Sequence, residues 1–364
     1  MRILLFVTAF SFEYTISFAN SISSHCNVIL VMPEQGLTEI HKKSIDENIK
    51  LRTYKLLRIR DPSNIFLMKH IEAIINDEKP DLVHIQNHGS RWSFILFPAI
   101  KNIPIVNTVH DPFPHLGDKN SRGFNISRFF AKRYTDRYIV HGHSMKKKLV
   151  EIFSVNPNLV DVIPHGNLDI YKNWETEKSY VQEEYMLFFG RIWKYKGLHN
   201  LIMANNILKS NDISYKLVIA GTGDDINYYK SLIKDDRDYE FKNYFISNEE
   251  LPALFRKSSF VVLPYTEATQ SGVVALAYSF GKPVIVTNVG SMPEYVKNGK
   301  SGIIIDSNNL KQLGAAIRIL FEKKEFREKL SRGAENMSSR HLNWSRIGKM
   351  FMNVYNKTLS NGVD

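Results

Sequence analysis

Residues 190–197 read Gly190-Arg191-Ile192-Trp193-Lys194-Tyr195-Lys196-Gly197, and their order has the chemistry of a phosphate site. The apolar run Met186-Leu187-Phe188-Phe189 reads as a strand that ends in glycine and feeds a helical pattern. A strand-to-helix turn leaves backbone N–H groups without partners, and these attract anions. Arg191 adds a planar guanidinium, and Lys196, five residues on, adds a compact ammonium. Together they suit a doubly charged phosphate group. Surface basic residues after a strand are the alternative reading of this segment.

Further along, Val218-Ile219-Ala220-Gly221-Thr222-Gly223 is followed by Leu263-Pro264-Tyr265-Thr266-Glu267 and Gly281-Lys282-Pro283-Val284-Ile285. Gly290-Ser291-Met292-Pro293-Glu294 and Gly299-Lys300-Ser301-Gly302 complete the series. In this order the segments resemble the nucleotide-sugar half of the retaining glycosyltransferases of family 4. The resemblance is strong over 186–305 and looser at Thr108-Val109-His110-Asp111 and Val162-Ile163-Pro164-His165-Gly166. It implies an α/β protein of GT-B type, two Rossmann-like domains with parallel sheets facing a cleft. An acceptor-binding domain would span 1–166, with 345–364 crossing back onto it, and a nucleotide-sugar domain would span 167–344. The implied substrates are a nucleotide-sugar donor and a saccharide or lipid-linked saccharide acceptor of surface polysaccharide synthesis. Neither cofactor nor metal is implied.

The resemblance also assigns roles. Expelling a nucleotide diphosphate builds negative charge on the leaving oxygens, which fixed cations and N–H groups stabilise. Arg191 and Lys196 match the family's cations for that task. Glu267 matches the first of a glutamate pair that anchors donor-sugar hydroxyls. The second glutamate, a ribose anchor, falls eight positions later, where this chain has Ala275. Gly190, Gly221, Gln270, Ser271 and Gly272 are donor-binding candidates, because small residues at a helix start let a sugar or phosphate approach the backbone. His110 matches the amino-domain histidine near the donor sugar, where imidazole can bond a hydroxyl or stabilise charge. Asp111 can orient it or touch acceptor. His165 suits a hinge or a packing role. His141 and His143 read as structural, and His84 and His88 stay unassigned.

Several short motifs do not carry their usual chemistry. Asp236-Arg237-Asp238 matches a metal-binding triplet of the other large glycosyltransferase fold. It lies in the polar stretch Lys234–Lys242 rather than at a strand end, which makes it a solvated loop. Gly221-Thr222-Gly223 lacks the remainder of a dinucleotide fingerprint, and no glycine loop occupies Thr8–Phe12. Gly299-Lys300-Ser301 lacks the upstream glycine of a Walker loop, and Gln270-Ser271-Gly272 is no nucleophile elbow. Two alternatives stay open: a silent GT-B nucleotide-sugar-binding protein, for which Ala275 speaks, and a GT-B nucleotide-sugar epimerase, which needs no acceptor.

Composition sets outer bounds. The 364 residues suffice for two domains, and 43% hydrophobic with 23% charged content is that of a globular protein. Cys26 is the one cysteine, so no intrachain disulfide forms and a reducing, cytoplasmic setting is expected. The apolar start Arg2–Val7 reads as a buried strand rather than a signal peptide, because Glu13 interrupts it and no cleavage site follows. No run approaches the roughly 18 apolar residues of a membrane span. The net charge of +11 is concentrated. Between Ser121 and Val150 stand Arg122, Arg128, Lys132, Arg133, Arg137, Lys146, Lys147 and Lys148 against Asp136 alone, a local charge of +7. Phe113, Phe124, Phe129 and Phe130 lie in or beside this window. Basic and aromatic groups together suit the anionic inner face of a cell membrane, at about 1 kcal/mol per cation. A solvated helix face is the other reading; nucleic acid is disfavoured because no reader motif accompanies the charge.

These groups must be held by alternating strands and helices. Strands are expected at Ile3–Val7, Val28–Val31, Leu82–Gln86, Ile105–His110, Tyr138–His141 and Val160–Ile163, with helices such as Ile65–Asn76 and Ser144–Phe153 between them. The second half repeats the scheme at Tyr185–Phe189, Lys216–Ala220, Tyr244–Ile246, Phe260–Leu263, Pro283–Thr287 and Gly302–Ile305. Ser247 with Glu250 forms a capping box before a helix bearing Leu251, Leu254 and Phe255. The polar stretch Gly166–Glu184 separates the halves. Trp344–Leu359 is an amphipathic helix, with Ile347, Phe351, Val354 and Tyr355 at helical spacing.

Overall fold

A computed structural model describes residues 1–7, 12–55, 64–87, 97, 100, 102–111, 121–176, 180–181, 183–209, 215–269 and 271–360, the side chains of 87, 121–124 and 126–127 excepted. Gln270, His88 and Phe113 therefore lie outside the described residues, as do the side chains of Arg122 and Phe124. The chain divides into two units, Met1–Gly166 with Asn343–Asp364, and Asn167–Leu342.

The first unit holds strands β1 (Arg2–Val7), β2 (Asn27–Pro33), β3 (Lys50–Tyr54), β4 (Leu82–Asn87), β5 (Ile105–Val109), β6 (Arg137–Val140) and β7 (Val160–Val162). All pair in parallel, in the order β3-β2-β1-β4-β5-β6-β7. Parallel strands covered on both faces need apolar side chains on both, which is why the central strands read as unbroken apolar runs. Leu4, Phe6, Ile29, Val31, Val83 and Ile85 share one core with Leu67, Ile71 and Ile74 of the helix Asn64–Glu78 and with Met145, Leu149 and Phe153 of the helix His143–Phe153. The helix Phe12–Ser23 packs against the helix Trp344–Ser360, with the Phe18 and Phe351 rings 4.1 Å apart. His84, from β4, is hydrogen-bonded to Tyr355 of that last helix at 2.6 Å and to Thr108 of β5 at 2.8 Å. The last helix is thus part of the first unit's core.

β3 lies outside the expected strands. Its sequence, Lys50-Leu51-Arg52-Thr53-Tyr54, alternates rather than running apolar, because it is an edge strand. Edge strands avoid mispairing by carrying charge. Lys50 and Arg52 meet Glu78 at 2.7 and 2.6 Å.

The second unit holds β8 (Tyr185–Phe189), β9 (Lys216–Ala220), β10 (Tyr239–Lys242), β11 (Phe260–Leu263), β12 (Val284–Thr287) and β13 (Gly302–Ile305). They are parallel, in the order β10-β9-β8-β11-β12-β13. Met186, Phe188, Leu217, Ile219, Phe260 and Val262 form a core with Leu198 and Leu201 of the helix Leu198–Lys209 and Ile317 and Leu320 of the helix Leu310–Glu322.

One strand is displaced from its expected place. Tyr244–Ile246 is not a strand; β10 forms from the more polar Tyr239–Lys242. The position is an edge, and it selects ion-pairing residues over apolar ones. Glu240 pairs with Lys216 at 2.9 Å, and Lys242 pairs with Glu250 at 3.1 Å. The expected capping box is half present. The Glu250 N–H donates to Ser247 Oγ at 3.3 Å, while the helix Leu251–Lys257 has no side-chain cap of its own.

In each unit the strand order reverses once, between β1 and β4 and between β8 and β11. The carboxyl ends of strands at such a reversal form a crevice, the usual ligand position of open α/β sheets.

Candidate active site

The reversal in the second unit places the ends of β8, β9 and β11 together, and three loops there are laced by hydrogen bonds. Ile192 N–H donates to Thr222 O at 2.8 Å, and Asp224 N–H returns to Ile192 O at 2.6 Å. Asp224 Oδ2 also accepts from Lys194 N–H at 3.0 Å. Thr266 N–H donates to Tyr195 O at 2.8 Å, tying the loop after β11 to the loop after β8. This close approach requires glycine, as Gly221 and Gly197 show. A Cβ on Gly221 would stand 1.9 Å from Gly190 O, and one on Gly197 would stand 1.9 Å from Pro264 O. Both have positive φ, +140° and +70°, where a side chain would be strained in any case.

The lacing fixes the two cations. The Arg191 guanidinium stacks on Trp193, 4.2 Å from the ring centroid. The Lys196 ammonium lies 3.9 Å from the centroid of Tyr265 and 5.0 Å from that of Tyr195. Arg191 is exposed and Lys196 half-buried. Tyr265 is buried, and burial pushes its phenol up to about 12, against the Ser271 hydrogen bond and the Arg191 charge, which both favour the ionised form. Tyr265 Oη and Ser271 Oγ are 3.2 Å apart. Ser271 immediately precedes the helix Gly272–Ser279. That helix begins beside Gly190, with Val273 3.8 Å from where a Gly190 Cβ would stand. The glycine turn, both cations and a helix amino end therefore lie on adjoining loops, chemistry that suits an anion.

A cavity of about 260 Å³ opens beside this turn, lined by Gly190, Arg191, Gly221 and Thr222 at the strand ends. Phe245 and Ile246 line its wall, as does Leu276. Phe245 is 81% exposed. The displacement of β10 explains why: Tyr244–Ile246, left out of the sheet, becomes a loop beside the cavity. An aromatic face left open in a hollow next to a glycine turn bearing Arg191 is suited to stacking against a planar ring. A second hollow of about 190 Å³, lined by Glu183, Glu240, Lys242, Glu250 and Lys257 among others, is occupied with ion pairs and lies away from the glycine turn.

Glu267 is half-buried in the loop between β11 and the helix Gly272–Ser279 and does not line the cavity. Ala275, where the sequence pattern expects a ribose anchor, is fully buried and is not among the residues that line the cavity. The wall residue is its neighbour, Leu276. Gly281-Lys282-Pro283 is a structural turn. Burial depresses the Lys282 ammonium to about 8, and it donates to Arg256 O at 2.8 Å. Of the acidic triplet and its neighbour, Asp238 pairs with Lys209 at 2.7 Å and Asp235 with Arg237 at 2.6 Å.

In the first unit His110 follows β5 and is buried, with Nε2 3.0 Å from Gln86 Oε1. Its ring lies 4.7 Å from His141 and 5.2 Å from Tyr14. His165 packs against both Tyr14, at 4.7 Å, and His141, at 5.3 Å. His141 Nδ1 meets Ile163 O at 2.9 Å, which ties it to the loop after β7. Asp111, next to His110, is half-buried.

The basic window resolves into two helices, Ser121–Tyr134 and His143–Phe153. In the second, Met145, Leu149 and Phe153 are buried at helical spacing, Lys147 is exposed, and Lys146 and Lys148 are half-buried. Lys132 and Arg133 are exposed, Arg128 is half-buried, and Phe129 is 66% exposed. Arg137 leaves this face: it is buried and paired with Asp161 at 2.6 Å. Among the described residues no helix is long and apolar enough to cross a membrane.

Two family models cover most of the chain. A model described as Glycosyltransferase Family 4 matches residues 13–167, and one described as Glycosyl transferases group 1 matches 171–337. The chain belongs to the family 4 glycosyltransferases. Its two parallel sheets are those of the GT-B fold. This glycosyltransferase is similar to an uncharacterized glycosyltransferase of Methanocaldococcus jannaschii, 26% identical over 336 residues and 85% of each chain. It is also similar to an uncharacterized 41.2 kDa protein in the cps region of Klebsiella pneumoniae, 28% identical over 330 residues, 84% of this chain and 86% of the other. In structure it resembles Anabaena HepE in complex with UDP-glucose, with TM-score 0.71 and 16% identity over 98% of this chain and 99% of that one.

Proposed function

We propose that this glycosyltransferase moves a sugar from a nucleotide diphosphate donor to a lipid-linked saccharide, with retention of anomeric configuration, in surface polysaccharide synthesis. The observation that carries the donor half is the convergence of Arg191, Lys196 and a helix amino end on one glycine turn beside a cavity. The two cations neutralise the diphosphate as the glycosidic bond opens. They supply the charge that a divalent metal supplies elsewhere, so the reaction runs without one. The nucleobase lies against Phe245, Glu267 holds donor-sugar hydroxyls, and Gly190, Gly221, Ser271 and Gly272 offer backbone and hydroxyl contacts; Gln270 joins them. His110 and Asp111 handle saccharide hydroxyls on the first unit.

The acceptor half rests on the exposed Lys147, Lys132, Arg133 and Phe129 with the half-buried Lys146, Lys148 and Arg128, a set that suits peripheral binding to an anionic membrane on the cytoplasmic side. The HepE complex with UDP-glucose and the cps location of the Klebsiella relative favour a nucleotide-sugar donor and a polysaccharide product.

The test is incubation with a panel of nucleotide sugars and membrane lipid extract, in the presence of a chelator. Release of nucleotide diphosphate with a new glycoside of unchanged anomeric configuration is expected. Inverted configuration, or full loss of transfer on chelation, contradicts the corresponding part of the reading. Interconversion of sugars without acceptor would favour the epimerase alternative, and binding without turnover the silent one.

A further inference from the structure

The wall of the cavity beside the glycine turn differs from an ordinary ribonucleotide site in one respect. Arg191 is the one charged residue among the described residues that line it, and no aspartate or glutamate is present. Nucleotide sites commonly hold the ribose hydroxyls with a carboxylate, which accepts hydrogen bonds from them. Here the helix Gly272–Ser279 contributes Leu276 to the wall. It lies four residues past Gly272, the start of the helix that abuts Gly190. At 1.5 Å rise per residue that is about 6 Å along the helix axis from the phosphate end. A ribose follows its 5′-phosphate at about that spacing. The uncharged polar members of the wall are Tyr171, Asn248 and the exposed Thr222; Thr222 lies at the strand-end turn, and Tyr171 and Asn248 already make other contacts within the protein.

A 2′-hydroxyl placed against Leu276 loses water and gains no acceptor there, which is unfavourable. A 2′-methylene in the same place gains apolar contact instead. From this apolar wall, and resting on the nucleotide-diphosphate reading above, we infer that the donor site takes 2′-deoxyribonucleoside diphosphates as readily as their ribose counterparts. Leu276 is the residue that sets this tolerance. Donors built on a deoxynucleotide are therefore substrates of the same site.

The experiment is calorimetric titration of the full chain with UDP and 2′-deoxy-UDP, and with GDP and 2′-deoxy-GDP. For whichever base binds, the two dissociation constants are expected to agree within about three-fold, or to favour the deoxy form. A deoxy form weaker by roughly ten-fold or more overturns the inference while leaving the donor reading intact. Failure of all four nucleotides to bind removes the donor reading and the inference with it. Leu276→Glu provides a gain-of-discrimination check. It is expected to favour the ribose form by roughly ten-fold, and equal affinities in a variant with unchanged circular dichroism would count against Leu276 as the determinant. The comparison on the unaltered protein stands whether or not that variant folds.

Discussion

The Lys196 ammonium sits 3.9 Å from the centre of the buried Tyr265 ring, so one aromatic face holds a cation in place at the glycine turn. Such a contact contributes about 0.5–2 kcal/mol and fixes the position of a flexible side chain. Tyr265→Phe keeps the ring and is expected to retain most turnover. Tyr265→Leu removes the face, and kcat/KM should fall by roughly ten-fold, within the range of a lost cation–π contact. Steady-state kinetics on the two variants separates ring from hydroxyl. Equal losses in both would assign the effect to the Ser271 hydrogen bond instead.

The loop after β11 gives a contrasting pair. Glu267 is half-buried and free of the core, so Glu267→Ala should leave the melting temperature unchanged while transfer falls by roughly 10²-fold. Ala275 is fully buried, so Ala275→Glu places a carboxylate in the interior. That substitution should cost about 3 kcal/mol or more of stability and bring no gain in nucleotide affinity. Thermal melts with nucleotide titration check both. Tighter nucleotide binding by a stable Ala275→Glu protein would show that position 275, not 276, faces the ligand.

Much of this layout was legible in the residues. The apolar runs of β8 and β9, the glycines that follow them and the spacing of Arg191 and Lys196 are dictated by burial and close backbone approach, which act locally. Leu276 and Phe245 were not legible. A leucine one place from an alanine in a helix reads as core until the helix is rotated against its sheet. Tyr244–Ile246 reads as a strand because its residues suit one; only pairing with β9 shows that the charged Tyr239–Lys242 takes the edge. β3 was hidden for the same reason, since Lys50 and Arg52 answer to Glu78 and not to a core pattern. Arg137 shows the converse, a basic residue counted toward a surface and found paired with Asp161.

His84 predicts an acid-sensitive first unit. Burial, reinforced by His141, lowers its imidazole from 6.5 to about 3. The folded group stays neutral while the unfolded group takes up a proton below about pH 6.5. The unfolded state therefore binds more protons between these values, and stability falls as pH falls through that window. The slope from this residue is at most about 1.4 kcal/mol per pH unit. Above pH 6.5 it contributes no pH dependence. Urea unfolding at pH 7.5 and pH 5.0 should show a smaller acid loss in His84→Gln than in the unaltered protein. Identical losses in both would place the acid sensitivity elsewhere.

The lysines of the helix His143–Phe153 predict salt-sensitive membrane binding. The Debye length shrinks from about 10 Å at 0.1 M salt to about 3 Å at 1 M. The protein should sediment with phosphatidylserine-containing vesicles at low salt and release at high salt. Neutralising Lys146, Lys147 and Lys148 together should weaken sedimentation and leave nucleotide affinity in the second unit unchanged. Equal binding to neutral and anionic vesicles, or to neither, would make these lysines an ordinary solvated face.

The central claim is that Arg191 and Lys196 stabilise a departing diphosphate, and donor turnover measures it most directly. With a donor found by the nucleotide-sugar panel, Arg191→Ala and Lys196→Ala should each lower kcat by roughly 10²-fold or more, with circular dichroism unchanged. Full turnover in both variants would contradict the account.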